Sequence, residues 1–316
     1  MVDKLVRIRR ALLDTGAPRP RPTMLAVAGD SASGKTTLAR GLVEALGEQR
    51  CVSLCVGDYH RYDREERRGL PFTPLHPDCN YVEIIEQHLR LLASGQPILK
   101  PVYDHSTGTL ARPELVEPRD IVIVEGVLPL YTRLLRACFD VSVYLDPPEP
   151  IRRRWKVARD VHRRGYREEE VLAELERREP ESAAFVRPQR RWADIVVRFA
   201  PIDSSQDPPG APLSATLLLR PTVRHPDLGA VLGPDGTPVL HRTLNRDQGG
   251  TPVDALHIHG HAPREESLVV EKLIWQSLSH GDGVPESLGL LDDGARSEPL
   301  ALTQLVVLLS LLGTVD

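Results

Sequence analysis

Residues 29–37 read GDSASGKTT and match the pattern G-x-x-x-x-G-K-S/T at Gly29, Gly34, Lys35 and Thr36. In this pattern the glycines let backbone N–H groups close around phosphate oxygens, and the lysine reaches the outer phosphates. The threonine hydroxyl binds magnesium. The stretch therefore predicts a nucleoside triphosphate site formed by Gly29, Asp30, Ser31, Ala32, Ser33, Gly34, Lys35, Thr36 and Thr37.

The sequence on either side of this loop favours a strand and then a helix. The apolar run at 24–28 predicts a buried strand, and TLARGLVEAL at 37–46 predicts a helix that Gly47 ends. Helical spacing recurs at 81–92. Four more apolar runs predict strands at 52–56, 121–124, 141–145 and 195–199. Strands that alternate with helices predict an α/β fold with a doubly wound, mostly parallel sheet and helices on both faces.

The composition changes after residue 200. We predict a first domain over 1–200, which opens with a helix at 3–13, a Pro- and Gly-rich linker over 201–213, and a C-terminal α+β extension over 214–316. The extension has strand-like runs and two helical stretches, at 263–277 and 299–312. We expect it to pack on the sheet of the first domain or to form a dimer interface.

The segment HIHGH would place His257, His259 and His261 on one face of a regular strand. Three imidazoles could bind zinc or nickel. No carboxylate or cysteine accompanies them, so we favour an edge strand or an interface over a metal site.

The composition is that of an ordinary globular protein, with 41% hydrophobic and 27% charged residues. The net charge of −4 gives no signal for nucleic acid or an anionic membrane. The four cysteines form no C-x-x-C pair, and the N-terminus lacks the apolar run of a signal peptide. We therefore expect a cytoplasmic protein without disulfides or structural zinc.

Polar side chains follow the predicted strands, where parallel sheets bind ligands. Glu125 comes at the end of the third strand and can hold magnesium, although a lone acid there also caps turns and helices. Many basic residues follow the fourth strand, between 152 and 167. A basic run is usually a solvated face, but its place beside the nucleotide site favours a mobile cover around 151–175 that closes over transferring phosphate.

The ordered motifs of this chain resemble the phosphoribulokinases and, more distantly, the uridine kinases of the same P-loop group. The motifs lie between residues 29 and 194 in the order GDSASGKTT, DYHRYDR, LHPDCNY, KPVYDHSTG, IVIVEG, VYLDPPEPIRRRWKVARDVHRRGY and VRPQRRWAD. The resemblance implies Mg²⁺-dependent transfer of the terminal phosphate of ATP to the primary hydroxyl of ribulose 5-phosphate. The products would be ADP and ribulose 1,5-bisphosphate, as in the Calvin cycle.

The resemblance also implies roles for individual residues. The catalytic residues would be Lys35, Asp58, Lys156 and Asp160. The sugar phosphate would contact His60, Arg64, Tyr103, His105, Arg159, Arg164 and Arg187. The metal ligands would be Thr36, Glu125 and Asp58. The implied partner is a small sugar phosphate, with no nucleic acid and no membrane, and the implied assembly is a homodimer.

The position of the expected general base departs from the family. Family members carry two adjacent carboxylates before the aromatic residue and the histidine, and the first is the expected general base. This chain has Gly57-Asp58 there. Asp58 could move into the role because Gly57 frees the backbone, or the reaction could run with a weak base. Alternatively, the chain binds nucleotide without catalysis. A kinase of a nucleoside such as uridine, or of another sugar phosphate, is the remaining alternative.

Overall fold

A computed structural model describes residues 21–201, 212–223, 227–229, 231–232, 237–278 and 283–313. The helix predicted at 3–13 and most of the linker predicted at 201–213 lie outside these residues. Contacts divide the described residues into two compact units. The first unit contains residues 21–35 and 50–193, and the second contains 36–49 and the residues from 194 onward. The domain boundary inferred from composition stays a prediction.

Six β-strands and four α-helices belong to the first unit. A fifth α-helix begins at Lys35, the last residue of the segment 21–35. The strands are β1 (Thr23–Gly29), β2 (Cys51–Cys55), β3 (Ile98–Asp104), β4 (Thr109–Val116), β5 (Ile121–Gly126) and β6 (Val141–Leu145). The helices are α1 (Lys35–Leu46), which continues into the second unit, α2 (Val82–Ala93), α3 (Arg133–Arg136), α4 (Glu149–Arg164) and α5 (Glu168–Glu181).

The sheet of the first unit is parallel, as the sequence predicts. Its strand order is β2-β5-β1-β6, and all three strand pairs are parallel. Every residue of β1 and β5 is buried, which explains their continuous apolar sequences. The register pairs Val27 with Glu125 and Cys55 with Glu125. The carboxyl ends of β1, β2 and β5 therefore come together at one edge of the sheet.

A separate hairpin, β3–β4, lies after α2 and was not predicted as strands. It is antiparallel, and its register shifts between Lys100 and Val102, at Pro101. Most of β4 is exposed. The hairpin matters for function because it carries the segment that includes Lys100, Tyr103 and His105.

The second unit has an antiparallel sheet and two further helices. Its strands are β7 (Ile195–Ala200), β8 (Ser214–Leu219), β9 (Leu240–Arg246) and β10 (Pro252–Ile258), in the order β7-β8-β10-β9. The helices are α6 (Arg264–Leu278) and α7 (Glu298–Gly313). Helix α7 is buried from Pro299 to Leu312. Its Gln304 donates to the carbonyl oxygens of Thr37 and Leu38, both at 3.3 Å, which ties α7 to α1.

The sequence favours an edge strand or an interface at HIHGH. The edge strand is wrong, because β10 lies between β8 and β9, whereas the interface stays a prediction. The rings of His241 and His257 stack at 4.7 Å, and those of His241 and His259 at 4.9 Å. The residues that the model describes contain no group of three or more His, Cys, Asp or Glu that could hold a metal ion. Those residues also include no helix with the length and apolar character of a membrane span.

Candidate active site

The loop after β1, residues 29–35, has a backbone shape that favours glycine. Gly29 and Gly34 have φ values of +149° and +94°, and Ala32 adopts the left-handed region at +62°. A Cβ atom on Gly29 would lie 2.6 Å from Ser33 Oγ and 2.7 Å from the Leu145 carbonyl oxygen. The motif glycines thus allow a close-packed turn that a side chain at Gly29 would disrupt.

Lys35 lies within this loop rather than in solvent. Its Nζ donates to the Asp30 carbonyl oxygen at 2.6 Å, and the residue is 8% exposed. Burial lowers the pKa of Lys35, against the opposing charges of Glu125 and Asp30. The buried Ser33 hydroxyl oxygen has no hydrogen-bond partner within the described part of the chain. The tight turn, the buried ammonium and this unpaired hydroxyl suit a phosphate group.

Helix α4 is anchored to the loop through Arg152. The Arg152 guanidinium donates to the Ser31 carbonyl oxygen at 3.0 Å and lies 3.4 Å from Asp30 Oδ1. Glu149 accepts two hydrogen bonds from the same guanidinium, at 2.7 and 2.8 Å. The Asp30 side chain also accepts from the Ser31 N–H at 2.6 Å. The basic helix predicted from the sequence therefore packs against the phosphate loop in this structure.

Three cations of α4 surround one carboxylate, and we call Lys156, Arg159, Asp160 and Arg164 the acceptor cluster. Lys156 Nζ donates to Asp160 Oδ2 at 2.6 Å, and Arg159 Nε donates to Asp160 Oδ1 at 2.8 Å. Arg164 Nη1 lies 3.4 Å from Asp160 Oδ1. Burial acts to raise the pKa of Asp160, but Arg159 and Lys156 outweigh it and hold the pKa at about 2. One negative charge thus organises three positive charges.

Lys156 has an unusual electrostatic environment. It is 3% exposed, and burial together with the Arg178 charge lowers its pKa to about 8 against the attraction of Asp160. Lys156 and Arg178 border the same small cleft as Asp30 and Ser31. Lys156 therefore connects the acceptor cluster to the phosphate loop, and the Arg159 charge acts on Lys35 of that loop.

Asp58, in the turn after β2, has both carboxylate oxygens engaged. Oδ2 accepts from Lys100 Nζ, and Oδ1 accepts from the Tyr103 N–H at 3.3 Å. Lys100 is itself buried and lies 3.8 Å from Glu114 on β4. Asp58 thus joins the turn after β2 to the β3–β4 hairpin.

His60 is held as a neutral imidazole. Its Nδ1 lies 2.8 Å from Asn80 Oδ1, while Asn80 Nδ2 donates to the carbonyl oxygens of Pro74 and His76. Because the amide nitrogen is already used as a donor, His60 Nδ1 carries the proton. Burial, with the charge of Arg67, lowers the pKa of His60 to about 3.

Tyr103 and His105 complete this wall of the site. The Tyr103 ring packs edge-on against His60 at 4.9 Å and against His105 at 5.0 Å. Arg67 donates to the Tyr103 hydroxyl at 2.5 Å, and Arg64 donates to the His105 carbonyl oxygen at 2.7 Å. The sugar-side residues predicted from the two separate motifs are therefore brought together.

Comparison with known proteins agrees with this geometry. The model of the Phosphoribulokinase / Uridine kinase family matches residues 24–204. The chain belongs to this family.

Two curated relatives and one solved structure show how far the likeness extends. The phosphoribulokinase of Synechocystis sp. is 39% identical over 187 residues, which cover 59% of this chain and 56% of the relative. The uridine kinase of Chloroflexus aurantiacus is 33% identical over 184 residues, covering 55% and 86%. The structure of phosphoribulokinase from Rhodobacter spheroides matches with a TM-score of 0.58 at 16% identity, covering 82% of this chain and 98% of that one. This likeness shows the P-loop kinase fold.

The chain spans about half the length of the curated phosphoribulokinases that it matches. Glu125 remains the predicted carboxylate ligand of a magnesium ion. It is buried at the end of β5, and its charge acts on Lys35 of the phosphate loop. A carboxylate oxygen is a hard donor of the kind that magnesium prefers. Thr36 lies in the first turn of α1 and remains the second ligand that the motif predicts.

The predicted phosphate-binding residue Arg187 is paired with another side chain in this structure. Arg187 is about half exposed and pairs with the Glu179 carboxylate. Its predicted contact with a substrate phosphate therefore stays a prediction.

Sequence reasoning missed three residues that hold site side chains in place, namely Arg67, Asn80 and Lys100. It also missed Arg178, whose charge acts on Lys156. Asn80 and Lys100 do lie inside the family-like motifs LHPDCNY and KPVYDHSTG. A search for polar residues within those motifs could have found them. Arg178 lies on α5, outside every motif, and the sequence holds no signal for it.

Proposed function

We propose that this protein is an ATP-dependent kinase that phosphorylates the primary hydroxyl of ribulose 5-phosphate, giving ribulose 1,5-bisphosphate and ADP. The proposal rests on membership of the family together with the chemistry of the first unit. The relative at 39% identity is a phosphoribulokinase.

The observation that carries the proposal is the acceptor cluster beside the phosphate loop. Lys156 borders the same cleft as the loop residue Ser31, and the Arg159 charge acts on Lys35 of the loop. A neutral acceptor such as a nucleoside has no charge that would require these cations. An acceptor that already carries a phosphate does, because guanidinium groups bind phosphate oxygens with paired, charge-assisted hydrogen bonds.

In the proposed reaction the loop at 29–35 holds the phosphates of ATP, and Lys35 neutralises the outer ones. A magnesium ion held through Glu125 and the Thr36 hydroxyl would neutralise further charge on the nucleotide. Lys156 and Arg159 neutralise charge that spreads over the transferring group, and Arg164 binds the sugar phosphate. Phosphoryl transfer depends mainly on such positioning and electrostatics.

Asp58 was predicted as the base and as a metal ligand. To act in either role, its carboxylate would have to leave Lys100 or share it. In the geometry described here we assign Asp58 to holding the β3–β4 hairpin, and with it Tyr103, at the site.

The proposed function is tested by measuring ADP release from MgATP with ribulose 5-phosphate, ribose 5-phosphate and uridine as separate acceptors. We expect saturable turnover with ribulose 5-phosphate and a ³¹P spectrum of the product with a second phosphate on the primary hydroxyl. Lys35→Met is the negative control.

Two results would replace the proposal. Saturable turnover of uridine without turnover of pentose phosphates would make the protein a nucleoside kinase, which the Chloroflexus relative favours. Tight binding of MgATP without transfer to any acceptor would make it a catalytically silent nucleotide-binding protein.

A further inference from the structure

We propose that His105 is the general base of this enzyme and takes the proton of the acceptor hydroxyl during phosphate transfer. The proposal rests on the proposed function and names the group that replaces the missing carboxylate at Gly57.

The His105 ring lies next to the position that a side chain on Gly57 would occupy. A Cβ atom built on Gly57 would lie 3.4 Å from His105 Nε2 and 3.7 Å from its Cε1. The same position is 3.2 Å from the sulfur of Cys55, the last residue of β2. Since Cys55 is paired in register with Glu125 on β5, the imidazole sits beside the carboxyl ends of the two strands. This is the edge of the sheet where ligands of parallel α/β proteins bind.

Other groups at the site that could accept a proton are occupied or poorly suited. Both oxygens of Asp58 accept hydrogen bonds. Asp160 is bound by its neighbouring cations, and its pKa of about 2 makes it a weak base. His60 is buried and carries its proton on the nitrogen that faces Asn80, and its pKa of about 3 also makes it a weak base.

His105 differs from these groups in access and in bonding. It is exposed, whereas His60 is buried. Within the part of the chain that the structure describes, neither nitrogen of its imidazole has a hydrogen-bond partner, and the backbone carbonyl of His105 is fixed by Arg64 at 2.7 Å. The ring is thus positioned by its own backbone and is open to a substrate hydroxyl.

The charges around His105 keep it in the form that a base requires. Desolvation lowers its pKa from the ordinary histidine value, and Arg164, Arg159 and Arg67 act in the same direction. The Asp58 charge opposes them. A lowered pKa leaves the imidazole neutral near pH 7, with a lone pair available for a proton.

The acceptor O–H gives its proton to the His105 imidazole while the hydroxyl oxygen forms a bond to the terminal phosphorus of ATP. The bond between that phosphorus and the bridging oxygen breaks, and ADP leaves with the electron pair. The imidazolium then returns its proton to solvent, so no further reactant is needed.

The test compares wild type, His105→Asn, Gly57→Asp/His105→Asn and the uncharged control Gly57→Asn/His105→Asn. We expect His105→Asn to lower kcat for ribulose 5-phosphate by roughly 10²–10⁴-fold, the usual contribution of a general base. Relative to His105→Asn alone, the double variant Gly57→Asp/His105→Asn should have a kcat at least about tenfold higher. The double variant Gly57→Asn/His105→Asn should show no increase in kcat. The φ of Gly57 lies outside the left-handed region, and a Cβ there would lie 3.2 Å from Cys55 Sγ, a tight contact that the Asp and Asn variants share equally.

The outcomes separate this proposal from the proposed function. Wild-type turnover of ribulose 5-phosphate tests the function alone, and its absence would remove both. If wild type is active, an unchanged kcat with a raised KM in His105→Asn would show that His105 only binds substrate. Equal activity of the two double variants would likewise overturn the base assignment. Affinity for MgATP, measured in all four proteins, shows that each variant is folded.

Discussion

The phosphate loop and the acceptor cluster both present positive charge to anions, but they are built by different means. The loop at 29–35 uses backbone shape, with Gly29, Ala32 and Gly34 at positive φ. The cluster uses side chains, with three cations of α4 packed around Asp160. A backbone site depends on which residues can adopt its conformation, whereas a side-chain site depends on every buried charge keeping its partner. The two regions should therefore respond differently to substitution.

The largest expected effect is on stability and follows from removing the carboxylate of the acceptor cluster. Asp160 and Lys156 are both 3% exposed, so Asp160→Ala leaves the buried Lys156 ammonium without the carboxylate to which it is bonded. We expect the free energy of unfolding to fall by about 3–5 kcal/mol, which urea denaturation would measure.

Glu83→Ala is the matched control. Glu83 pairs with Arg61 at 2.9 Å, but its side chain is 75% exposed. Its loss should cost less than about 1 kcal/mol. Equal losses from the two substitutions would show that Asp160 does not organise a buried cluster.

The phosphate loop should lose activity rather than stability. Lys35→Met removes the only charge that the loop itself directs at the outer phosphates, and we expect kcat to fall by roughly 10²–10³-fold. The melting temperature should change little, because the turn is maintained by its glycines and by the Ser33 N–H, which donates to the Asp30 carbonyl oxygen at 3.2 Å. A large drop in melting temperature with normal residual kcat would contradict this division of roles.

The contrast between a site formed by local backbone conformation and one formed by side chains also explains which features the sequence could predict. The phosphate loop and the buried strands β1, β2, β5 and β6 are local patterns, and all were predicted. The β3–β4 hairpin was missed because its strands contain Pro101 and Pro113, and most of β4 is exposed, which removes the usual alternation of apolar residues.

Contacts between side chains that are far apart in the sequence could not be predicted from it. Lys100 and Asp58 are 42 positions apart, and Arg67 and Tyr103 are 36 positions apart. No local spacing relates them, because the hairpin brings them together only after folding. The family resemblance supplied the identities of the acceptor-side residues, but not which of them are bound to each other.

The next largest effect is the pH dependence of kcat/KM, which should follow the protonation of Lys156 in the acceptor cluster. Lys156 must be protonated to neutralise phosphate, and its pKa in the free protein is about 8. We expect kcat/KM to be constant between about pH 7 and pH 8, where His105 is neutral and Lys156 is charged, and then to fall about tenfold per pH unit as Lys156 loses its proton. Lys156→Arg should extend the plateau to higher pH because arginine stays charged.

The same shift has a consequence for stability. Because the pKa of Lys156 is lowered on folding from 10.5, keeping the charge buried costs free energy at neutral pH. That cost is relieved as the pH rises from about 8 to 10.5.

A kcat/KM profile of wild type that matches that of Lys156→Arg up to pH 10 would show that the charge of Lys156 is not required.

The smallest effect should come from Arg187, which pairs with Glu179 at the surface. We expect Arg187→Ala to change the KM for ribulose 5-phosphate by less than about twofold, because an exposed ion pair contributes little. Arg164→Ala, in the acceptor cluster, is the control and should raise that KM by at least about tenfold. Equal increases in KM for the two variants would show that Arg187 contacts the substrate phosphate, as the resemblance implies.

The central claim is that the acceptor cluster binds the phosphate already present on the substrate. The most direct test is the ratio of kcat/KM for ribulose 5-phosphate to kcat/KM for ribulose, which lacks only that phosphate. We predict a ratio of roughly 10⁴ in wild type, because a site built for a polar group rejects an analogue without it, and a much smaller ratio in Arg164→Ala. A ratio near one in wild type would contradict the claim.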